Sequence, residues 1–337
     1  MSNQITVTEF LLLGFSDIRE LQILHFMVFL GIYLVALTGN LLIIKAIALD
    51  HHLHTPMYFF LMNLSILDLG CISIVDPKSM ANSLMNTKVI SYHGCIIQVF
   101  FFLFFTTAEP LLLIIMAYDW YIAICQPLHY KSMINRRACV QMAASIWISG
   151  VLNSALHTGN TFAIIFWADN EMEQFFCETL LLLKLASYDS YLRETGAIAF
   201  SMYFALNYFF KYIYKILSYI LILKTVLRIP FEQGQHKIFS TCILDLIVVS
   251  VFLCTASFTY IKPTFSSVSA LNLIVAVLYS VVPPMMNPII YSMRNKDIKA
   301  ALWKMIGSRQ FSKKIKWPSY SYDHLLILCF FINIINF

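Results

Sequence analysis

Charged side chains are scarce in this sequence. Only 12% of its 337 residues are Asp, Glu, Lys or Arg, whereas 59% are hydrophobic, and the mean hydropathy is +0.73. A soluble domain of this length could not hide so much apolar surface from water. We therefore expect a membrane protein, in which most of the chain contacts lipid or packs within it.

Several patterns that carry enzymatic chemistry are missing. The sequence has no phosphate-binding loop, no HExxH-type metal motif and no evident nucleophile–base pair, so we do not expect an enzyme. Its eight cysteines lack zinc-type spacing and it has no basic arm, which argues against a nucleic-acid partner. The internal repeat that is typical of transporters is also missing, although a membrane transporter stays an alternative of another class.

A secretory signal peptide is missing too. Residues 1–23 carry Glu9, Asp17, Arg19 and Glu20 and have no basic region that leads into a short apolar core. We therefore expect the first apolar run of the chain to act as its own insertion signal.

Seven apolar runs dominate what the sequence does contain. Each is long enough to cross a hydrocarbon core of about 30 Å as a helix. They predict an all-α membrane protein with a seven-transmembrane helix bundle. The runs lie at residues 24–48, 57–80, 96–121, 139–161, 197–223, 238–260 and 270–292.

Cations are distributed unevenly between the connections of these runs. Lys131, Arg136 and Arg137 follow the third run, more follow the fifth, and the segment 162–195 is acidic. Cytoplasmic loops carry the excess of Lys and Arg, so the amino terminus is predicted to lie outside a multi-pass plasma-membrane protein.

This orientation divides the chain into three parts. Residues 1–23 form an extracellular amino terminus, 24–292 the transmembrane domain, and 293–337 a basic cytoplasmic tail. The tail begins with a predicted amphipathic helix at 295–306 that lies on the inner membrane surface. Its apolar end, 325–337, is too short to span a membrane and has no assigned role.

Four motifs occur in an order and spacing that resemble one known family. The chain is similar to the vertebrate olfactory receptors, which are rhodopsin-like G-protein-coupled receptors, from TEFLLLGFS (8–16) to NKDIKAAL (295–302). The resemblance implies a small odorant as ligand and a heterotrimeric G protein of the stimulatory olfactory type as partner. The motifs are LHTPMYFFLMNLSILDL (53–69), MAYDWYIAICQPLHY (116–130), HKIFSTC (236–242) and PPMMNPIIYSMRN (283–295).

Two cysteines are placed to form a disulfide on the outer side. Cys95 opens the third run and Cys177 lies in the acidic loop, where the oxidising exterior favours a bridge. The resemblance implies the same pair. A further cysteine pair, common in the family, is replaced here by Trp167 and Ser187, so we expect this loop to be less restrained than usual.

Four polar residues are predicted to form a cluster in the membrane: Asn40, Asp68, Glu109 and Asn287. Two carboxylates close together cannot both stay charged without a cation or a proton. The cluster could bind Na⁺ or a proton and bias the inactive arrangement, or it could be a neutral network that only joins helices. We expect no other cofactor. Pro288 lacks an N–H and predicts a hinge next to Asn287.

The predicted odorant cavity opens outward between the third, fifth, sixth and seventh helices. Its wall would be apolar with a few hydroxyls, which suits a small, volatile, weakly polar molecule. The candidate residues are Phe102, Leu103, Thr106, Thr107, Phe204, Phe252, Cys254, Thr255, Tyr260 and Tyr279.

The predicted G-protein switch comprises Asp119, Trp120, Tyr121, Pro288 and Tyr291. The family has Arg where this chain has Trp120, and that Arg pairs with the preceding Asp and contacts the G protein. Tryptophan has no guanidinium group. We expect Asp119 to lose its partner and coupling to suffer, so a diverged, non-signalling receptor copy is the main alternative.

Overall fold

The computed structural model describes residues 9–12, 18–85, 89–163, 171–172, 177 and 281–310. Within these ranges the regular secondary structure is helical except for three short strands. The elements in chain order are β1 (Glu9–Leu12), α1 (Arg19–Leu49), a 3₁₀ turn (His51–Leu53), α2 (Pro56–Met85), β2 (Val89–Ser91), α3 (Tyr92–Cys125), α4 (Tyr130–Met133), α5 (Arg136–Phe162), β3 (Glu171–Met172), α6 (Val282–Arg294) and α7 (Lys296–Gln310).

Four helices, α1, α2, α3 and α5, are long and apolar enough to cross a membrane. They confirm the first four predicted spans, and each extends beyond its apolar run because a spanning helix continues into the polar interface. The predicted runs 197–223 and 238–260 lie outside the described residues. So does the first part of the seventh run, whose later residues form α6.

Side chains cap two of the helices at their amino termini. Ser91 Oγ accepts a hydrogen bond from the backbone N–H of Gly94 (3.2 Å), and Asn135 Oδ1 accepts one from Ala138 (2.9 Å). Each cap satisfies a backbone donor that the first turn of a helix leaves free. The helix beginnings therefore follow from local sequence, as expected from Ser and Asn at these positions.

Helix α2 lies between α1 and α3, and α3 packs against α5. The core between them is aliphatic and aromatic, with Leu64 and Leu112 fully buried. Trp147 on α5 lies 5.5 Å from Phe104 between ring centroids and donates its indole N–H to Asn63 Oδ1 on α2 (3.2 Å). This contact joins three helices, and it satisfies a polar N–H that lipid could not satisfy.

Helix α7 follows α6 directly, where the sequence predicts a short amphipathic helix. Its Ile298 and Leu302 are buried, whereas Lys296 and Lys304 are exposed. Tyr58 at the start of α2 fixes this junction, because its hydroxyl donates to Asp297 Oδ2 (2.9 Å) and lies 3.0 Å from Asn295 Oδ1.

The three strands form a small sheet in the order β2-β1-β3. Strand β1 is antiparallel to β2, with Phe10 opposite Ile90, and parallel to β3, with Leu11 opposite Glu171. Phe10 is fully buried while its neighbours Glu9 and Leu11 are exposed, which is the alternation of a half-buried strand. The amino-terminal segment thus bridges the α2–α3 connection and the short strand β3 that follows α5.

Gly150 of α5 lies close to the ring of Phe104 on α3. A Cβ there would lie 2.9 Å from two ring atoms of Phe104, and Phe104 is itself held by Phe105 and Trp147. We therefore expect Gly150→Leu to lower the free energy of unfolding by about 1–3 kcal/mol, the usual cost of overpacking a core.

The measurement is the thermal unfolding temperature of the purified receptor in detergent. Gly159→Leu is the matched control on the same helix, because nothing lies within 4 Å of a Cβ at that position. Equal losses for both variants would contradict close packing of α3 and α5 at Gly150.

Candidate functional site

The amino-terminal end of α3 carries the predicted disulfide between Cys95 and Cys177. Both cysteines are fully buried. The backbone N–H of Cys177 donates to Gln98 Oε1 (2.9 Å), and Gln98 Nε2 donates to the carbonyl of Ile74 on α2 (3.2 Å). Gln98 therefore ties the disulfide-bonded loop to two helices.

The loop is restrained by a second route. Trp167 and Ser187 lie outside the described residues, but β3 pairs with the amino-terminal strand β1. Backbone hydrogen bonds between strands thus supply a restraint that the sequence did not reveal.

The buried polar cluster forms around one amide. Asn287 Nδ2 on α6 lies 3.1 and 3.2 Å from the two carboxylate oxygens of Asp68 on α2, and 3.2 Å from Glu109 Oε1 on α3. All three side chains are almost completely buried. Two acids from neighbouring helices therefore lie within about two hydrogen-bond lengths of each other, joined by a donor from a third helix.

Asn40 takes a different position from the one expected. Its Nδ2 donates to the carbonyls of Ala36 and Pro284, each at 3.0 Å, so it joins α1 to α6 one turn before Asn287. Among the described residues, the buried Oδ1 atoms of Asn40 and Asn287 have no hydrogen-bond donor. The structure thus brings three of the four predicted residues into direct contact and puts Asn40 next to them.

Pro110 follows Glu109 inside α3. A proline has no N–H, so the α-helical hydrogen bond to the carbonyl of Thr106 is missing at this depth. Pro288 does the same within α6, directly after Asn287. Two of the three helices that carry the cluster are therefore weakened beside it, and bending α3 or α6 costs less energy at these points.

Asp119, near the carboxyl-terminal end of α3, has a hydrogen-bond partner that the sequence did not predict. Asp119 is buried, and it is not left without a partner, because Tyr130 on α4 donates its hydroxyl to Asp119 Oδ1 at 2.9 Å. Burial, and after it the negative charge of Asp119, raise the pKa of Tyr130, so the hydroxyl keeps the proton that it donates. The expected loss of a partner at Asp119 was wrong: an intramolecular tyrosine provides one.

Trp120 and Tyr121 follow Asp119 in α3, which continues to Cys125. On α6, Tyr291 is buried in the main core beyond Pro288. The predicted switch residues therefore lie in the carboxyl-terminal halves of two helices that also carry the acidic cluster.

The predicted cavity wall is described on α3 alone. Phe102 is buried, Leu103 is half-buried, and Thr106 donates to the carbonyls of Phe102 (2.8 Å) and Leu103 (3.3 Å). Thr107 accepts a hydrogen bond from Asn153 on α5 (3.0 Å). The predicted residues outside the described ranges are Phe204, Phe252, Cys254, Thr255, Tyr260 and Tyr279.

Comparison with known proteins identifies the family of this chain. A sequence profile described as olfactory receptor matches residues 29–309. The chain belongs to the olfactory receptor family. Three human relatives cover 93% of it: olfactory receptor 14J1 is 46% identical over 97% of its own length, 14I1 is 47% identical over its full length, and 14A16 is 45% identical over its full length.

As a member of the olfactory receptor family, the chain is a membrane receptor and not an enzyme. The apolar helices α1, α2, α3 and α5 agree with that membership. Odorant ligands and G-protein coupling are properties of the family, and they give the buried cluster and the inner end of α3 their context.

Four residues with clear structural roles were not singled out in the sequence: Phe10, Gln98, Tyr130 and Asn153. The alternation of exposed and buried residues around Phe10 is too short to stand out, and Gln98 resembles any polar residue near a helix end. Tyr130 lies within the motif at 116–130, eleven residues after Asp119, and that motif was the one available signal.

The hydrogen bond from Tyr130 to Asp119 predicts a loss of stability when the hydroxyl is removed. In Tyr130→Phe the buried carboxylate loses its donor, so we expect the free energy of unfolding to fall by about 1–3 kcal/mol. The measurement is the unfolding temperature in detergent. Tyr118→Phe, next to Asp119 but exposed, is the matched control; an effect as large there would refute the assignment.

Proposed function

We propose that this olfactory receptor binds a small, volatile, weakly polar odorant between seven transmembrane helices and activates a stimulatory olfactory G protein. The amino terminus lies outside the plasma membrane and the tail after α6 lies in the cytoplasm. The family match over residues 29–309 is the observation that carries the proposal. The disulfide at one end of α3 and exposed Lys131, Arg136 and Arg137 at the other support the orientation.

The ligand acts by shifting a population between two arrangements of the bundle. An odorant that contacts the outer half of α3 favours the arrangement in which the inner ends of the fifth and sixth helices move apart. A tip of the G-protein α subunit then enters the cytoplasmic crevice. The bends permitted by Pro110 and Pro288 support such a movement, since Pro110 precedes Asp119 in α3 and Pro288 precedes Tyr291 in α6.

Trp120 limits the coupling step. An arginine at this position could offer a charged, bidentate donor, which an indole lacks. The hydrogen bond from Tyr130 gives the neighbouring carboxylate of Asp119 a donor. A receptor that binds odorant without signalling is therefore the second candidate, and Trp120 is the observation that favours it.

Replacing Trp120 by Arg tests the coupling. We expect a severalfold larger maximal cAMP response, within the usual range of coupling free energies of about 1–3 kcal/mol. The Arg variant is screened against an odorant panel in intact cells, and the native chain is then tested with each active odorant. An amino-terminal epitope, labelled from outside, corrects for surface expression and reports the orientation.

Trp120→Ala is the control for this measurement, because it removes the indole without supplying a charge. A response that rises equally in the Ala variant would assign the effect to the bulk of tryptophan. A native response as strong as that of the Arg variant would show that Trp120 does not limit coupling.

The acidic cluster is proposed to hold Na⁺ in the resting arrangement. The donor set fits the ion, since two carboxylates meet there and no residue in the described part of the chain donates to the buried Oδ1 of Asn287. Hard cations prefer such oxygen ligands, and the ion would balance charge that one amide cannot neutralise. Asp68, Glu109 and Asn287 would bind it, and release of the ion would favour the active arrangement.

Sodium is therefore expected to stabilise the purified receptor relative to choline at equal ionic strength. At about ten times the dissociation constant the gain is about 1.4 kcal/mol, measurable as a rise in unfolding temperature. Asp68→Asn should abolish the difference, whereas Asp119→Asn, at a buried acid outside the cluster, should keep it. Equal unfolding temperatures of the native chain in the two salts would instead support a neutral network.

A further inference from the structure

The outer end of the bundle has its own small apolar core. It consists of buried Phe10, Ile90, Cys95, Val99 and Cys177. Three half-buried residues pack against it: Tyr92, Leu103 and Phe162. Phe10 is the one member that comes from the amino-terminal segment, and it is fully buried.

The aromatic residues of this core connect three parts of the chain. The rings of Phe10 and Tyr92 stack with centroids 6.1 Å apart, and Tyr92 meets Phe162 edge-on at 5.5 Å. The Tyr92 hydroxyl also donates to the carbonyl of Phe162 at 3.4 Å. Phe10 therefore links β1 to the beginning of α3 and, through Tyr92, to the end of α5.

Strand β1 also lies between the two outer connections. It pairs with β2 on one side and with β3, in the same connection as Cys177, on the other. Within the described residues, β1 is the element that joins these two connections into one sheet. Without it, β2 and β3 would have no common neighbour.

Leu103 connects this outer core to the predicted odorant wall. Leu103 packs against this core. It lies eight residues after Cys95 on the same helix, which is about 12 Å along the helix axis. A molecule that approached Leu103 from outside at this side of the bundle would meet Phe10 and the disulfide first.

We propose that β1 covers the outer opening of the odorant cavity and so forms its roof. The buried side chain of Phe10 holds this roof closed. The inference rests on the proposed function, because it takes Leu103 as part of the cavity wall. Pairing to both connections places the strand across the outer end, and the buried ring fixes its register. The roof opens when Phe10 leaves the apolar core and β1 separates from its neighbours.

Access to Leu103 tests this roof without any odorant. In the full-length receptor on intact cells, Leu103→Cys is labelled from outside with a charged, membrane-impermeant methanethiosulfonate, and labelling of the native chain is subtracted. Adding Phe10→Ala should speed the labelling about tenfold, whereas adding Leu11→Ala, on the exposed face of the same strand, should change it less than about twofold. Equal rates in these variants would overturn the proposal.

A cross-link provides a second measurement that does not depend on removing Phe10. Leu11 and Val89 are direct partners in the antiparallel pair. Under mild oxidation Leu11→Cys with Val89→Cys should form a disulfide, whereas Glu9→Cys with Val89→Cys, a diagonal pair about 7–8 Å apart, should not. Equal cross-linking of both pairs would refute the strand register on which the roof depends.

The cross-linked pair should also slow odorant dissociation, and Phe10→Ala should speed it. The labelling and cross-linking results need no ligand, so they separate failure of the roof from failure of the proposed function. Confirmed labelling and cross-linking together with an absent odorant response would count against the function alone. Unchanged odorant kinetics in both variants would overturn the roof.

Discussion

One amide holds the centre of this receptor together. Asn287 donates to Asp68 and to Glu109 from a third helix, in surroundings where hydrocarbon can offer no hydrogen bond. Because both acids depend on the same nitrogen, movement of α6 away from α2 or α3 would leave a buried carboxylate without its donor. The cluster therefore couples the relative positions of three helices.

The two ends of α3 are restrained in different ways. At its amino-terminal end a covalent bond, Gln98 and the sheet around β1 hold the loop in place. Near its carboxyl-terminal end the Tyr130 hydroxyl donates to Asp119. Pro110 lies between the two ends, where the helix has one hydrogen bond fewer.

Part of this arrangement could be predicted from the sequence. The first four spans were predictable because hydrocarbon thickness fixes the length of an apolar helix. The meeting of Asp68 with Glu109 was predictable too, since an ionisable residue inside a membrane span must face another helix. The hydrogen bond from Tyr130 to Asp119 was not predicted, because the family resemblance assigns the partner of this acid to position 120. Phe10 was missed since three alternating residues are too weak a signal for a strand.

Four features of this protein can be read from its sequence: lipid as its solvent, its family, its four described spans and its disulfide. These features depend on local composition or on motifs, which a linear chain displays in full. Only the folded chain reveals that Asn40 joins Pro284, that Tyr130 donates to Asp119, and that Phe10 of an amino-terminal strand packs in one core with the disulfide. Those contacts join segments far apart in the chain, and their choice of partner depends on which side chains the packed helices bring within hydrogen-bond distance.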